Sequence, residues 1–512
     1  MSLPHNDTTW PPSQWQPVFD MAAESASWWE GDPKNLSAQY AGKIRAAQFD
    51  GGVVGATARF FWGKPQLRGQ SQQKMHIPLA ADIAATSASL LFDTPPTITH
   101  ADETVQQRLD TLVNSEAFAA QLLVAGESAS ALGGVYWRVQ WNQAIAPTPW
   151  LEWVDVDSAI PEWQYGRLVA VTIVEQLPTI DEKTTHRLLT RYTPGRIEYQ
   201  LMAGRDNNLG KTIPLTEHPT TEGLAALLTD GDGMATGVNV MLAGYIPNAR
   251  PVVRFRRDGQ LRNMGRPDLS PDIYDLLDAL DETWTKLMRE IRLGQMRITV
   301  PDYMLDTHGP GQGASIDVDR EIYDTLAAPP SSNMGPQFHQ PQLRVDEHLR
   351  TAEAIIREVI RRVNLSPITF GLTDSTAGQM TAREITAKWQ ASLQTWKAKV
   401  RYWRAGLNEA AVAILHIDAL LRGEPLNLDE LPVVEFAPPV QETTLDKAQT
   451  VQALEAARAI STKQKVTQIH PEWNSTAVEE ETAAILREQA GVFDPVLSAA
   501  PDGMLGSPGI EE

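Results

Sequence analysis

Residues 270–294 read SPDIYDLLDALDETWTKLMREIRLG, a helix whose start, face and stop are all legible. Ser270 suits the N-cap, Pro271 the first helical position, and Asp272 complements the positive end of the helix dipole. Ile273, Leu276, Leu277, Leu280, Trp284, Leu287, Met288 and Ile291 then share one face, and Gly294 ends the run. A second stripe, Val345, Leu349, Ala352, Ile355, Ile356, Val359, Ile360 and Val363, has the same character. The expected contact between the two helices uses Ile273, Leu277, Leu280, Trp284, Leu287 and Ile291 on one side, and Ile356, Val359 and Ile360 on the other. Between them, residues 296–343 carry short strand-like runs (MRITV, SIDV) among many prolines and glycines. Two amphipathic helices bracketing a small excursion describe a stalk with a tip.

Downstream, GLTDSTAGQM (371–380) is a loop of small polar residues. Thr381 and Glu384 form a capping box that marks where the loop ends and a helix begins. Apolar residues continue at steps of three and four through Ile385, Trp389, Leu393, Trp396, Val400, Trp403, Leu407 and Ile414. Carried to Gly423, that helix would span roughly 60 Å, far more than an average helix. Trp389, Trp396 and Trp403 recur every seven residues. Such a stripe is most often ordinary helix-to-sheet core, and its sharper alternative is a seam between subunits. Arg383, Lys388, Lys397, Lys399, Arg401 and Arg404 outnumber Glu384 and Glu409 along the same helix. Pairing with acidic neighbours is the commoner role of such charges, and DNA contact the alternative.

Upstream the pattern is mixed α+β. Residues 1–39, rich in Pro, Trp, Ser and Asn, show no clear period and read as an arm ordered by whatever docks on it. A helical stripe from Ile77 to Leu91 stops at FDTPP, and two more helices occupy roughly residues 102–113 and 115–131. The period then becomes two. In VYWRVQW, Val135, Trp137, Val139 and Trp141 point one way, and Tyr136, Arg138 and Gln140 the other. Further strands fall at 150–154 and 168–177, and Thr193-Pro194-Gly195 marks a hairpin. After Gly423 come a strand-like LPVVEF, short helices with capping boxes at Ser461/Gln464 and Thr476/Glu479, and a Pro/Gly/Ser/Glu tail.

Composition narrows the function. A chain of 512 residues exceeds one hydrophobic core. It has no cysteine, which removes thiolate catalysis and Cys-based zinc. It has no long apolar run and no signal-peptide pattern, and the expectation is a protein assembled in the cytoplasm without a membrane. A formal charge of −20 opposes tight binding to DNA. GRDNNLGKT (204–212) imitates a phosphate loop, but five residues separate its glycines where the motif needs four, and it joins two strands. TDGDGMA lacks the ligand and glycine positions of a calcium loop. The alternations at Asp155/Asp157 and at 317–321 read as solvated strand faces. No HExxH or GxSxG is present. No enzyme and no cofactor is expected.

Five segments in order, HIPLAADIAATSASLLFDTPPTI, AGESASALGGVYWRVQW, NMGRPDLSPDIYDLLDALDETWTKLMREIRLGQMRITVPDYML, TAGQMTAREI and AISTKQKVTQIHPEWNSTAVEEETAAIL, resemble the portal proteins of tailed bacteriophages, over roughly residues 40–490. The resemblance implies a closed ring of about twelve copies at one capsid vertex, with double-stranded DNA passing through it for packaging and ejection. It implies a wing at 40–268 behind the arm, stem helices at 269–295 and 344–366, and a clip at 296–343. A tunnel loop at 367–380, a long helix with return strand at 381–442, a helical crown at 443–490 and a tail at 491–512 complete it. Leu372, Thr373, Asp374, Ser375, Thr376, Gln379 and Met380 would face the DNA. Implied partners are other copies, the terminase large subunit, major capsid and scaffolding proteins, and a head-completion or adaptor protein, all in the virion. The alternatives are another ring-forming head–tail adaptor or scaffold, and a nucleotide-dependent DNA translocase.

Overall fold

The computed structural model describes residues 3–42, 74–179, 184–226, 228, 233–294, 342–372, 389–424, 426, 430–439, 451–457, 459–469 and 475–492, and the backbone of short strands between 297 and 339. The chain divides into two compact units, Met1–Gly378 with Ala387–Pro439, and Gln379–Thr386 with Val440–Glu512.

The first forty residues fold, contrary to the expectation of an arm without period. Helices α1 (Gln16–Glu30) and α2 (Pro33–Gly42) fill most of the segment. Val18, Met21, Ala22, Ser25 and Trp28 make the buried face of α1, and Ser25 Oγ donates to Ala131 O at 2.6 Å. The face is helical in spacing but half of it is small or polar, so it offers little hydrophobic contrast. Ahead of α1, residues 7–10 run as a strip along another strand, described below.

Helices α3 (Leu79–Phe92), α4 (Glu103–Leu112) and α5 (Glu116–Leu132) follow, with β1 (Thr97–Thr99) between the first two. Asp102 caps α4 by accepting from the amides of Thr104 and Val105 at 2.8 and 3.2 Å, and Ser115 caps α5 through Phe118 N. Strands β2 (Gly134–Gln140) and β3 (Trp150–Asp155) then pair antiparallel. Both faces of β2 are covered, which places Arg138 inside at 4% side-chain exposure. Its guanidinium donates to both oxygens of Glu152 at 2.9–3.0 Å and of Glu175 at 2.7–3.0 Å. Asp155 ends β3 and Asp157 lies in a 3-10 turn, so the pair is not the strand face expected; burial first, and then Asp155, push the Asp157 carboxyl up.

A six-stranded antiparallel sheet takes β4 (Ala159–Gln164), β5 (Arg167–Gln176), β6 (Thr185–Thr193), β7 (Arg196–Arg205) and β8 (Asn208–Ile213) in sequence order. Beyond a short helix α6 (Pro219–Ala225), β9 (Gly233–Ala235) adds to β7, and β10 (Ala243–Pro247) pairs with β2. The β6–β7 turn at Pro194-Gly195 has Gly195 at φ 79°, and GRDNNLGKT is the β7–β8 hairpin. At Gly210, φ is 75° and a Cβ would lie 2.0 Å from Ala203 O, so this glycine serves the tight hairpin. The outer edge of β8 is taken by the N-terminal strip: Asp7 N donates to Gly210 O, Leu209 N to Thr8 O and Trp10 N to Asn207 O, at 2.6–3.0 Å.

α7 (Pro271–Leu293) carries the stripe with which the sequence was entered. The hydroxyl of Ser270 turns to the Asp272 carboxylate and makes no cap bond to the helix amides. Small strands β11 (Arg297–Pro301), β12 (Asp306–Thr307), β13 (Ala314–Ser315), β14 (Tyr323–Leu326) and β15 (Gln337–His339) form a three-stranded sheet, β14-β11-β15, and a separate β12–β13 pair. The chain returns as α8 (Val345–Arg362). Glu290 near the end of α7 accepts from Arg344 and His348 at the start of α8, while Asp272 at the start of α7 accepts from Arg362 at 2.6 Å. Those bonds make the two helices antiparallel. α9 (Gln390–Arg422) is the long helix, and β16 (Val433–Glu435) returns to pair with β1.

The two largest of four apolar clusters among the described residues organise this unit. One gathers α1, α3, α4, α5, β2, β3, β10 and the inner face of α9. The other joins α2, the start of α3, α7 and α8. A polar residue sits within the second: Asp281, 1% exposed, accepts from Tyr40 Oη and from Ile77 N at 2.9 Å, with His76 Nδ1 also at 2.9 Å.

In the second unit, α10 (Thr462–Ile469) is capped by Ser461, which accepts from Gln464 N at 3.3 Å. It packs on α11 (Ser475–Val492), and a Lys463–Glu479 pair at 2.8 Å joins the two.

Candidate functional site: a loop held at both feet

Among the described residues no three His, Asp or Glu side chains cluster as metal ligands. The feature that stands out is the place where the chain leaves for residues 373–388 and comes back. α8 ends at Arg362, and Asn364 turns the chain with φ 58°. A 3-10 turn, Pro367–Phe370, follows and is stopped by Gly371 at φ 71°, a left-handed position natural to glycine. Leu372 N donates to Pro367 O at 3.1 Å, and the described chain resumes at Trp389.

Both feet are tied to each other. Ser366 N donates to Ser392 Oγ at 2.8 Å, Ser392 N donates to Ser366 Oγ at 3.4 Å, and Thr369 Oγ1 lies 2.9 Å from Ser392 Oγ. One turn further, Asn364 Nδ2 donates to Thr395 Oγ1 at 2.9 Å and Thr395 Oγ1 donates to Asn364 O at 2.6 Å. Ser392 is wholly buried and Ser366 is 1% exposed. Water therefore cannot replace the Ser366–Ser392 bonds, which tie together the described chain on either side of residues 373–388. That tie lies at the Asp272–Arg362 end of the α7/α8 pair. The strands β11–β15 leave from the Glu290 end, roughly 33 Å away along α7.

Replacing Ser392 by Ala removes the acceptor for the buried Ser366 amide. We expect a loss of about 1–3 kcal/mol in stability and faster proteolysis within 373–388; a Ser392→Ala protein cut at the wild-type rate would show that the clamp does not hold the loop.

The residues singled out in the sequence distribute as follows. Leu372 is half-buried, packed against the α7/α8 cluster. Thr373, Asp374, Ser375, Thr376, Gln379 and Met380 lie outside the described residues, as do Arg383, Lys388 and the Thr381/Glu384 box. Ile273, Leu277, Leu280, Leu287, Val359 and Ile360 are buried, and Trp284 and Ile356 pack at the cluster edge. Ile291 departs from expectation at 40% exposed, together with Leu343 at 40% and Leu349 at 43%. All three sit toward the Glu290 end, where nothing in the described chain covers them.

The tryptophan stripe resolves toward core. Trp403 is fully buried, edge-on to Phe92 with ring centroids 4.8 Å apart and 5.8 Å from Trp153; Trp396 is 8% exposed in the same cluster. A side chain sealed inside one chain cannot touch another, so Trp403 is not a seam residue. Trp389 alone keeps partial exposure.

Lys399 shares that buried face. Its ammonium donates to Asp268 Oδ2 at 2.5 Å and to Ser87 Oγ at 3.1 Å. Asp268 also accepts from Ser87, Ser130 and Asn248 at 2.5–2.8 Å. Burial alone would raise the Asp268 carboxyl, but Lys399 and these hydrogen bonds outweigh it and hold the carboxyl below its usual range. Lys397, Arg401 and Arg404 are exposed and make no ion pair among the described residues. The clamp and this node escaped sequence reading. Their only signal was a serine and a lysine, Ser392 and Lys399, set among the apolar positions of α9.

A family model described as "Phage portal protein, SPP1 Gp6-like" matches residues 38–492. Among solved structures, a chain titled "Virion of native gene transfer agent (GTA) particle" aligns over 85% of this chain and 98% of its own, at 12% identity and a TM-score of 0.37. No curated protein matches.

Proposed function

The chain belongs to the phage portal protein family, SPP1 Gp6-like, and on that premise we propose that copies of it close into a ring at one capsid vertex and form the channel for double-stranded DNA. The observation that carries this is a match running through nearly the whole chain, residues 38–492. About twelve copies would form the ring, as closed cyclic assemblies do when one surface patch fits another around a rotation axis. Thr373, Asp374, Ser375, Thr376, Gln379 and Met380, with the exposed part of Leu372, would face the channel. Strands β11–β15 would form the outer tip on which the packaging motor, and later the head-completion protein, dock.

Three features support the reading. Ser366 and Ser392 fasten the chain entering residues 373–388 to the long helix, so every copy would present that segment at one radius. A net charge of −20 disfavours the phosphate contacts that would trap DNA, so the strand slides. Among the described residues, Ile291, Leu343 and Leu349 form an uncovered apolar edge at the Glu290 end of the α7/α8 pair, which adjacent copies would cover.

The test is the purified full chain, sized by light scattering and imaged by electron microscopy. A ring of several hundred kilodaltons, built from 56.5 kDa chains, with a central hole wide enough for duplex DNA is expected. A monomer or dimer at assembly concentrations would overturn the proposal.

A further inference from the structure

A cavity of about 590 Å³ opens between the outer face of α9 and strands β5 and β10. Its walls include Trp137, Trp163, Tyr245 and Tyr402, with Arg250 among them. The buried nitrogens Trp137 Nε1, Trp163 Nε1 and Arg250 Nε have no hydrogen-bond partner among the described residues. All three are N–H donors on residues that line one space. Trp137 is 1% exposed and its indole edge lies against Gly244, where a Cβ would come 2.7 Å from Nε1. Twelve buried side-chain polar atoms lack a partner among the described residues, and these three belong to residues that line one cavity; each costs free energy unless something supplies an acceptor.

The charge points the same way. Arg250 stacks over Trp163 with its guanidinium carbon 5.6 Å from the ring centroid, and one terminal nitrogen donates to Asn263 O. No described carboxylate pairs with it. Burial lowers its pKa, and the groups that oppose this are the tyrosines Tyr245, Tyr402 and Tyr136, with no carboxylate among them. Among the described lining residues the one acid is Glu409, whose carboxyl burial raises and Arg167 pulls only part of the way back. What remains uncompensated is one cation and a set of donors. Their complement is an anion with acceptor oxygens and a short apolar stem, which describes a carboxylate side chain.

We infer that this cavity is a socket for an Asp or Glu side chain of the adjacent copy in the ring. The inference rests on the ring assembly proposed above. Two observations favour a second copy as the occupant. With 64 acidic against 44 basic residues, each copy offers an excess of carboxylates that would otherwise repel its neighbours. The rim also has the makings of a protein contact: Leu431 lines the cavity at 65% exposure, and Tyr165, beside Gly166 and Arg167, is 95% exposed. A desolvated Arg among aromatics, ringed by apolar side chains, is the composition of an interface anchor.

Carbodiimide coupling tests this directly. Arg250→Lys places a primary amine in the socket, and a carbodiimide condenses it with a touching carboxylate to an amide, the lost water passing to the reagent as its urea. In rings assembled from isotopically labelled and unlabelled Arg250→Lys chains, peptide mass spectrometry should find an amide joining Lys at 250 of one chain to an acid of the other. Rings whose only amide is within one chain, to Glu409 for instance, or that carry none, overturn the inference and leave the ring itself standing. A wild-type chain that forms no ring overturns the assembly reading instead. A rim variant covers the case in which the Arg250→Lys chain does not fold. Leu431→Asp sets a fixed negative charge at the mouth of an exposed position, and should raise the protein concentration needed for ring formation at least tenfold. Ring formation at the wild-type concentration would count against the socket.

Discussion

Replacing Lys399 by Ala is expected to cost about 3–5 kcal/mol, because it strands a buried carboxylate. Asp268 sits where α3, α5, α9 and the lead into α7 meet, and it takes hydrogen bonds from Ser87, Ser130, Asn248 and Lys399. Without the ammonium, only the hydrogen bonds from Ser130 and Ser87 remain to oppose the burial that favours the neutral acid. Asp268→Asn should be comparably damaging, since it leaves Lys399, 4% exposed, without its counter-ion. Denaturant unfolding of the purified variants measures both. A Lys399→Ala protein within 1 kcal/mol of wild type would mean the node is dispensable. The pH dependence has a definite sign. The folded pKa of Asp268 lies below its unfolded value, so its contribution is complete above that unfolded value, about 3.9. It is lost as pH falls through the folded value. Acidification should therefore narrow the gap between wild type and Lys399→Ala.

Trp403→Ala should be of similar size, about 3–5 kcal/mol. The indole joins three elements: its own helix α9, Phe92 at the end of α3, and Trp153 on β3. Truncation would leave a large apolar void among side chains that cannot collapse into it without moving a helix against a sheet. Trp389→Ala, at the partly exposed start of the same helix, is the internal comparison and should lose far less. Equal losses at the two positions would show that burial within one chain is not what fixes their roles.

These two sites mark where sequence reading succeeds and stops. Helix ends were legible wherever a short polar side chain closes an amide: residues 102–113 were expected and Glu103–Leu112 is observed, with Asp102 as cap. The α7 stripe was legible because its buried residues differ sharply from their neighbours in polarity. α1 was not, since Ala22 and Ser25 bury without such contrast. Ile291 was placed inside by its spacing alone, and spacing does not say where the covering helix runs out. At the loop, the chain's departure at Gly371 could be read from glycine and small polar residues. The clamp could not, because Ser366 and Ser392 are brought together only by the fold and carry no periodic signature.

The strip Asp7–Trp10 has one more consequence. β8 is the end strand of its sheet, and an end strand offers a row of amides and carbonyls to any extended chain that arrives. The molecule's own first residues occupy that row, with Leu3 and Trp10 packed beside Leu209 and Met202. They therefore act as a built-in guard of that edge against ribbon-like pairing with another extended chain.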